Sequence, residues 1–282
     1  GVELPMALIR RNVGNIHPSP QGGHDLAKAI MTTDTHPKEM AISLKLNGRK
    51  ITLGGIAKGS GMIHPNLATM LCFMTTDAPV EKEFLKQALQ EAVNASFNMI
   101  DIDGDQSTND SVILLANGAA GGEPIKDGTP AAQAFQEGLN YLSIGLAKEL
   151  ARDGEGATKL IEAVVEGAKT VENARAIARE VVSSLLVKAA IHGNDPNWGR
   201  IIMAVGKSGV DIDETKIALF INDICIMEEG RPIPYFKDAI IAAMSASEVS
   251  LRIHLNLGEA SATAWGCDLT EEYVTFNAAY TT

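Results

Sequence analysis

A chain of 282 residues, 45% hydrophobic and 21% charged, can bury a substantial core and is long enough for one or two domains. Its 35 acidic residues outnumber 24 basic ones, and a formal charge of −11 repels a phosphate backbone, which disfavours nucleic-acid binding. No apolar run reaches the roughly 18 residues that a membrane helix needs, so no membrane partner is expected.

Residues 41–54 are predicted to form a hairpin. Asn47-Gly48 is a strong two-residue turn signal, and it places Leu44 opposite Ile51 and Ile42 opposite Leu53. The following stretch, GGIAKGSGMIHPNLATML, shows neither helical nor strand period and reads as a loop entering an apolar segment at 70–74. Residues 80–98 have helical spacing, with Phe84, Leu85, Ala88, Leu89, Ala92 and Val93 on one face. A short strand at 112–116 is ended by Asn117-Gly118. A helix over 129–151 opens on Thr129-Pro130 and stops before Asp153-Gly154. Residues 160–165 read as a strand and 170–190 as one long amphipathic helix, whose Thr170 and Asn173 half meet a capping box. Residues 217–226 suit a central strand. Val249, Leu251, Ile253, Leu255 and Leu257 alternate with polar residues, as a strand buried on one face requires. The expected fold class is α/β, helices packed on β-sheets in a layered sandwich. A boundary near 125–130 is suggested only by the polar Gly-Gly-Glu-Pro stretch.

Several chemical motifs fail on spacing. Lys58 precedes Gly59, whereas a phosphate-cradling loop ends in Gly-Lys-Ser/Thr, and no G-x-G-x-x-G occurs. The acidic run DIDGDQSTND has Gln106 and Val112 where a calcium loop needs Gly and Glu, so a hydrogen-bonded turn is expected. The six histidines lack zinc spacing, and no metal site is expected. Cys72, Cys225 and Cys267 are far apart and odd in number, which suits buried inert thiols in a reducing cytoplasm. Thr69 remains. A threonine hydroxyl needs a neighbouring base, and its own α-amino group supplies one if Thr69 begins a chain. Small Ala68 and the Gly-rich stretch before it permit a bent, strained junction. Taken alone, Ala68-Thr69 reads as an ordinary loop pair.

The segments AIMTTDTHPKE, GGIAKGSGMIHPNLATMLCFMTTDA, DGDQSTNDSVILLANG, GNDPNWGRI and YVTFNAAYTT occur in that order over nearly the whole sequence. Together they resemble the glutamate N-acetyltransferase (ornithine acetyltransferase) family of arginine biosynthesis. The resemblance implies a self-processing acetyltransferase of the N-terminal-threonine type, cut between Ala68 and Thr69. Residues 1–68 would belong to the α chain and 69–282 would form the β chain, two of each assembling in the cytoplasm. Thr69 would take acetyl from N2-acetylornithine, release ornithine and pass the acetyl group to glutamate, with no cofactor. Some members also draw on acetyl-CoA. The family's substrate contacts fall on Thr32, Lys58, Thr69, Glu155, Asn277 and Thr282. Without the resemblance, Lys58 reads as a solvated cation, Glu155 as a turn residue and Thr282 as a frayed end. The GNDPNWGRI segment receives no chemical step, and a turn held by Trp198 packing is its plain reading. Two alternatives stand beside the transferase: a self-processing amidase or aminopeptidase in which water resolves the acyl-enzyme, and a non-catalytic scaffold. The family also carries, upstream of the VELPM segment, a Thr-Gly pair that makes the oxyanion hole. That pair is not in this sequence, which opens on Gly1 and is expected to begin inside a longer product. One such donor is worth about 100–1000-fold in rate.

Overall fold

The computed structural model describes residues 3–64, 67–68 and 70–279. Thr69 and Thr282 lie outside the described residues. Two short helices, α1 (Met6–Val13) and α2 (Gly22–Ala29), come first. Asn47 and Gly48 then take left-handed backbone angles, φ 49° and 76°, and fold β1 (Lys38–Leu46) onto β2 (Arg49–Lys58). Leu44 meets Ile51 and Ile42 meets Leu53, the register the turn predicts.

The Gly-rich stretch is not all loop. Residues 54–58 complete β2, and the glycines are there because a helix crosses close above them. A Cβ on Gly55 would lie 2.8 Å from Leu146 Cδ1 and 3.0 Å from Met74 Cγ. Side chains that would have shown an alternating pattern are missing for that reason. A short antiparallel pair follows, β3 (Ile63–His64) with β4 (Leu67–Ala68), Ile63 opposite Ala68. Next, β5 (Leu71–Thr76) runs antiparallel to β2.

Helix α3 (Lys82–Ala95) buries Phe84, Ala88 and Ala92, and the last residues expected in it form a separate 3-10 turn, Phe97–Met99. Beyond it come β6 (Ile100–Asp101) and β7 (Ser111–Ala116), the latter parallel to β5. The first sheet therefore has the order β1-β2-β5-β7. Helix α4 (Pro130–Arg152) starts as the sequence predicts, Thr129 Oγ1 accepting the Ala132 N–H at 3.1 Å. No boundary falls at 125–130. Ile125 is buried, donates to the Pro79 carbonyl at 2.8 Å and accepts from the Glu81 N–H at 3.0 Å, and one hydrophobic core runs through the described residues.

The remaining elements are β8 (Leu160–Ala168), α5 (Val171–Ser183), α6 (Leu185–His192) and α7 (Trp198–Lys207). They continue with β9 (Ala218–Ile221), β10 (Ile224–Glu228), β11 (Arg231–Pro232), α8 (Lys237–Met244), β12 (Glu248–His254), β13 (Ala260–Cys267) and α9 (Glu271–Ala279). The second sheet has the order β11-β10-β9-β12-β8-β13-β6. Two expectations are corrected. The single helix over 170–190 breaks at Ser184, whose extended backbone and Oγ cap α6 through the Val187 N–H, although Thr170 does cap α5. The strand over 217–226 is a hairpin, because Asn222 and Asp223 adopt φ 45° and 66° and reverse the chain. By contrast β12 keeps its expected alternation, with Val249, Leu251 and Ile253 wholly buried.

The two faces of β8 look at different helices. Ile161, Ala163 and Val165 face α5, where a Cβ on the neighbouring Gly266 would meet Val182. On the opposite face Glu162 accepts from Trp265 Nε1 at 2.7 Å and from Lys148 Nζ of α4 at 3.3 Å. Helix α4 also packs on β1 through Gly138 and Gly145, which leave room for Leu44 and Met40. It thus lies between the two sheets, and α5 covers the far face of the larger one. This is the layered α/β sandwich expected.

Candidate functional site

Lys58 ends β2, and the Gly59–Ser60–Gly61 turn after it is the spine of the site. Its first anchor is Asp34, buried beneath the TTDT segment. Asp34 Oδ1 accepts the Gly59 N–H at 2.7 Å and Oδ2 accepts the Thr32 N–H at 3.1 Å, so one carboxylate fixes two expected site segments together. Lys38 Nζ donates to Asp34 Oδ1 and to Asp153 Oδ2, each at 2.6 Å, with all three side chains almost wholly buried. Asp153 in turn accepts the Thr35 N–H at 2.9 Å and the Thr35 hydroxyl. Burial alone would raise the Asp34 pKa. The Gly59 N–H, Lys38 and the Thr32 N–H outweigh it and hold the carboxyl below its ordinary value. Thr33 Oγ1 and Ser60 Oγ lie 2.5 Å apart and close the turn.

On the other side of the spine lies Glu155. Its N–H donates to the Ser60 carbonyl at 2.7 Å, and Gly61 leaves room for its carboxylate, since a Cβ there would sit 2.6 Å from Glu155 Oε2. Asn277, in the last turn of α9, donates its Nδ2 to that same oxygen at 2.9 Å. Helix α9 reaches this position because Gly156 lets it. Gly156 has φ 70°, and a Cβ would meet the Tyr273 nitrogen at 2.7 Å and Glu272 Cβ at 2.9 Å. Thr270 Oγ1 also donates to the Gly156 carbonyl at 2.8 Å. Gly156→Ala is therefore expected to destabilise by about 1–3 kcal/mol through backbone strain alone. It should displace Asn277 from Glu155, which chemical denaturation and a raised KM in steady-state assays would register together.

Lys58 itself is only 7% exposed and sits in a row set by strand pairing: Lys58 opposite Leu71, and Leu71 opposite Ser111. Its charge acts on Asp110, whose Oδ1 accepts the Met70 N–H at 2.9 Å. Burial pushes the Asp110 carboxyl up to about 6, with the Met70 N–H and Lys58 holding it from going further. Beside Met70 and Asp110 opens a cavity of about 370 Å³, lined also by His64, Lys86, Gln90 and Phe97. His64 Nδ1 lies 2.8 Å from Asp101 Oδ1, and the other Asp101 oxygen pairs with the buried Lys188 at 3.0 Å.

The structure thus gathers Thr32, Lys58, Glu155 and Asn277 around one strand end, with Thr32 and Asn277 exposed, Glu155 half-buried and Lys58 buried. Ala68 is described only as part of β4, and Thr69 and Thr282 lie outside the described residues. The acidic run is the hydrogen-bonded turn expected: Asp103 accepts the Met62, Ile63 and Asp105 N–H groups. Asp34, Lys38, Asp153 and Asp110 were not singled out as site residues by the sequence. Asp34, Lys38 and Asp110 stood inside quoted motifs and Asp153 two residues before Glu155, yet their partners lie up to 118 residues away along the chain.

The GNDPNWGRI turn is held by hydrogen bonds that its plain reading did not name. Asn194 accepts Lys159 Nζ, which also donates to the Ile191 carbonyl at 2.8 Å, and Asn197 caps α7. Trp198 itself is 36% exposed. Asp268 binds the Thr158 and Lys159 N–H groups, each at 2.8 Å, together with His192 Nδ1 at 3.0 Å, so this turn braces the strand that follows Glu155. Among the described residues no three His, Cys, Asp or Glu side chains converge as metal ligands. Cys72 and Cys267 are buried, and burial raises their thiols to about 12 and about 11; Cys225 is only half-buried. No described helix is long and apolar enough to cross a membrane.

A layered α/β frame that crowds a buried lysine, linked carboxylates and a carboxamide around one strand end has the build of an enzyme for small charged molecules. The chain belongs to the ArgJ family, whose sequence model matches residues 1–282. It is 51% identical over 286 residues to the arginine biosynthesis bifunctional protein ArgJ of Symbiobacterium thermophilum, covering 100% of this chain and 71% of that protein. It is 48% identical over 282 residues to the protein of that name in Dehalococcoides mccartyi, covering 100% and 70%. The crystal structure of arginine biosynthesis bifunctional protein argJ from Bacillus halodurans superposes with a TM-score of 0.71 at 41% identity, covering 73% of this chain and 97% of that one.

Proposed function

We propose that this protein is a glutamate N-acetyltransferase of arginine biosynthesis, working through an acetyl ester on Thr69. The observation that carries the reading is Asn277 bonded to Glu155 against the turn that follows Lys58, at the strand end that leads towards the Ala68-Thr69 junction, in a member of the ArgJ family.

In the proposed cycle the Thr69 hydroxyl first attacks the Ala68 carbonyl, its proton going to the departing amide nitrogen, and water opens the resulting ester. Residues 1–68 and 69–282 become separate chains. The freed α-amino group then accepts the hydroxyl proton as Thr69 attacks the acetyl carbon of N2-acetylornithine. The C–N bond breaks, that proton passes to the leaving nitrogen, and ornithine departs. The amine of glutamate attacks the ester, and N-acetylglutamate leaves as the threonine oxygen regains its proton. Lys58 suits the α-carboxylate that both substrates carry, and Glu155, steadied by Asn277, suits the side-chain ammonium of ornithine. Thr32 and Thr282 complete the proposed substrate contacts.

A cut would not scatter the pieces, because β2 pairs with β5 across the junction from Leu53↔Thr76 to Lys58↔Leu71. Assembly as two α and two β chains, a cytoplasmic location, the lack of a cofactor and acetyl-CoA as a second donor belong to the same proposal.

The deciding assay offers N2-acetylornithine with and without glutamate. Ornithine release that depends strongly on glutamate, from protein whose intact mass shows two chains, is the expected result. Release independent of glutamate would make the protein an amidase, and an uncut, inert chain would make it a scaffold. Glu155→Gln removes the carboxylate charge while keeping its shape. KM for N2-acetylornithine is expected to rise about 10–100-fold, the worth of one charge-assisted bond, with KM for glutamate little changed. An unaltered KM for the ornithine substrate would remove Glu155 from that role.

A further inference from the structure

Chain termini fray unless something ties them down. A nucleophile that begins a chain therefore needs an anchor on its far side, and Met70 has one from three directions. Asp110 Oδ1 accepts its N–H at 2.9 Å, and the next residue, Ser111, donates its N–H to the Met70 carbonyl at 3.2 Å. The Met70 side chain is buried, and its Cβ rests against Gly59, where an added Cβ would come within 3.3 Å of it. Gly59 in turn hangs from Asp34, and its neighbour Lys58 stands in the β2-β5-β7 row that contains Leu71 and Ser111. Met70, the second residue after the junction, is thus gripped at both its N–H and its carbonyl, against the neighbour of the lysine expected to hold substrate.

We propose that Asp110 is the positioning residue of the transfer reaction: by holding the Met70 N–H it fixes the residue that follows the nucleophile against Gly59, the neighbour of Lys58. This rests on the Thr69 reading above. The carboxylate acts here as an acceptor of fixed reach. An amide oxygen at the same place does the same work, whereas a carboxylate one methylene further out does not. Misplacing reacting groups by about 1 Å costs on the order of 100-fold in rate while leaving ground-state binding alone.

The test uses the full-length protein carrying Asp110→Asn, Asp110→Glu or Asp110→Ala, with rates taken per cut chain by intact mass. Asp110→Asn is expected to keep kcat within about fivefold of the parent. Asp110→Glu and Asp110→Ala should lower it about 30–300-fold with KM for both substrates within threefold, magnitudes set by the cost of misplacement. Hydrogen exchange gives a readout independent of turnover: the Met70 amide should stay protected in the parent and Asp110→Asn and lose protection in the other two. The reverse ranking, with Asp110→Glu near normal and Asp110→Asn slow, would show that charge matters and overturn the proposal. So would a change confined to KM, or an equally protected Met70 amide in all four proteins. A parent enzyme without glutamate-dependent release would instead count against the functional reading, and the exchange data would still judge the anchor.

Discussion

Thr69→Ala is expected to leave one uncut chain and to reduce transfer from N2-acetylornithine to glutamate by at least about 10,000-fold, the scale seen when a covalent nucleophile is removed. Both effects have one origin. In the proposed mechanism the hydroxyl attacks the Ala68 carbonyl, so without it the junction stays closed. A closed junction keeps the α-nitrogen in an amide, where it cannot accept a proton. Substrate should still bind, because the other proposed contacts, Lys58, Glu155 and Asn277, are untouched, and calorimetric affinity for N2-acetylornithine should fall far less than turnover. A Thr69→Ala protein that is cut, or that turns over at a tenth of the normal rate, would end the mechanism.

The second large effect falls on stability. Lys38→Met should destabilise the fold by about 3–5 kcal/mol in urea unfolding, because it strips the shared cation from two buried carboxylates. Lys38 Nζ touches Asp34 and Asp153 at 2.6 Å each, and neither carboxylate can reach bulk water to recover its hydration. The loss should be acid-sensitive with a definite sign. Asp34 is held below its ordinary 3.8, so the stability it contributes is present above that value and disappears as pH falls through the lowered folded value. Lys38→Met should therefore differ most from the parent near neutrality and least in strong acid. A neutral-pH difference under 1 kcal/mol would mean that water or rearrangement relieves the carboxylates.

How much of this was readable in advance depended on how local each signal was. The Asn47-Gly48 turn, the Thr129-Pro130 start and the alternation after Val249 depend on neighbours within a few residues, and all three are in the structure. The Gly54-Gly55 strand was misread because its pattern is written in the helix above it, in Leu142 and Leu146. The breaks at Ser184 and Asn222-Asp223 were missed because continuous apolar runs hid turn residues that only backbone angles expose. At the site, motif resemblance named Thr32, Lys58, Glu155 and Asn277, which the structure sets around one strand end. Spacing could not find Lys38 with Asp153, or Met70 with Asp110, because those bonds close over 115 and 40 residues.

The ladder of backbone bonds from β2 to β5 also changes the order of the folding reaction. If the link between Ala68 and Thr69 opens, the two sides of that ladder belong to different molecules. Unfolded material must then find its other half by diffusion. Dilution would slow its recovery, and the fold would be easier to make once, before the cut, than to remake afterwards.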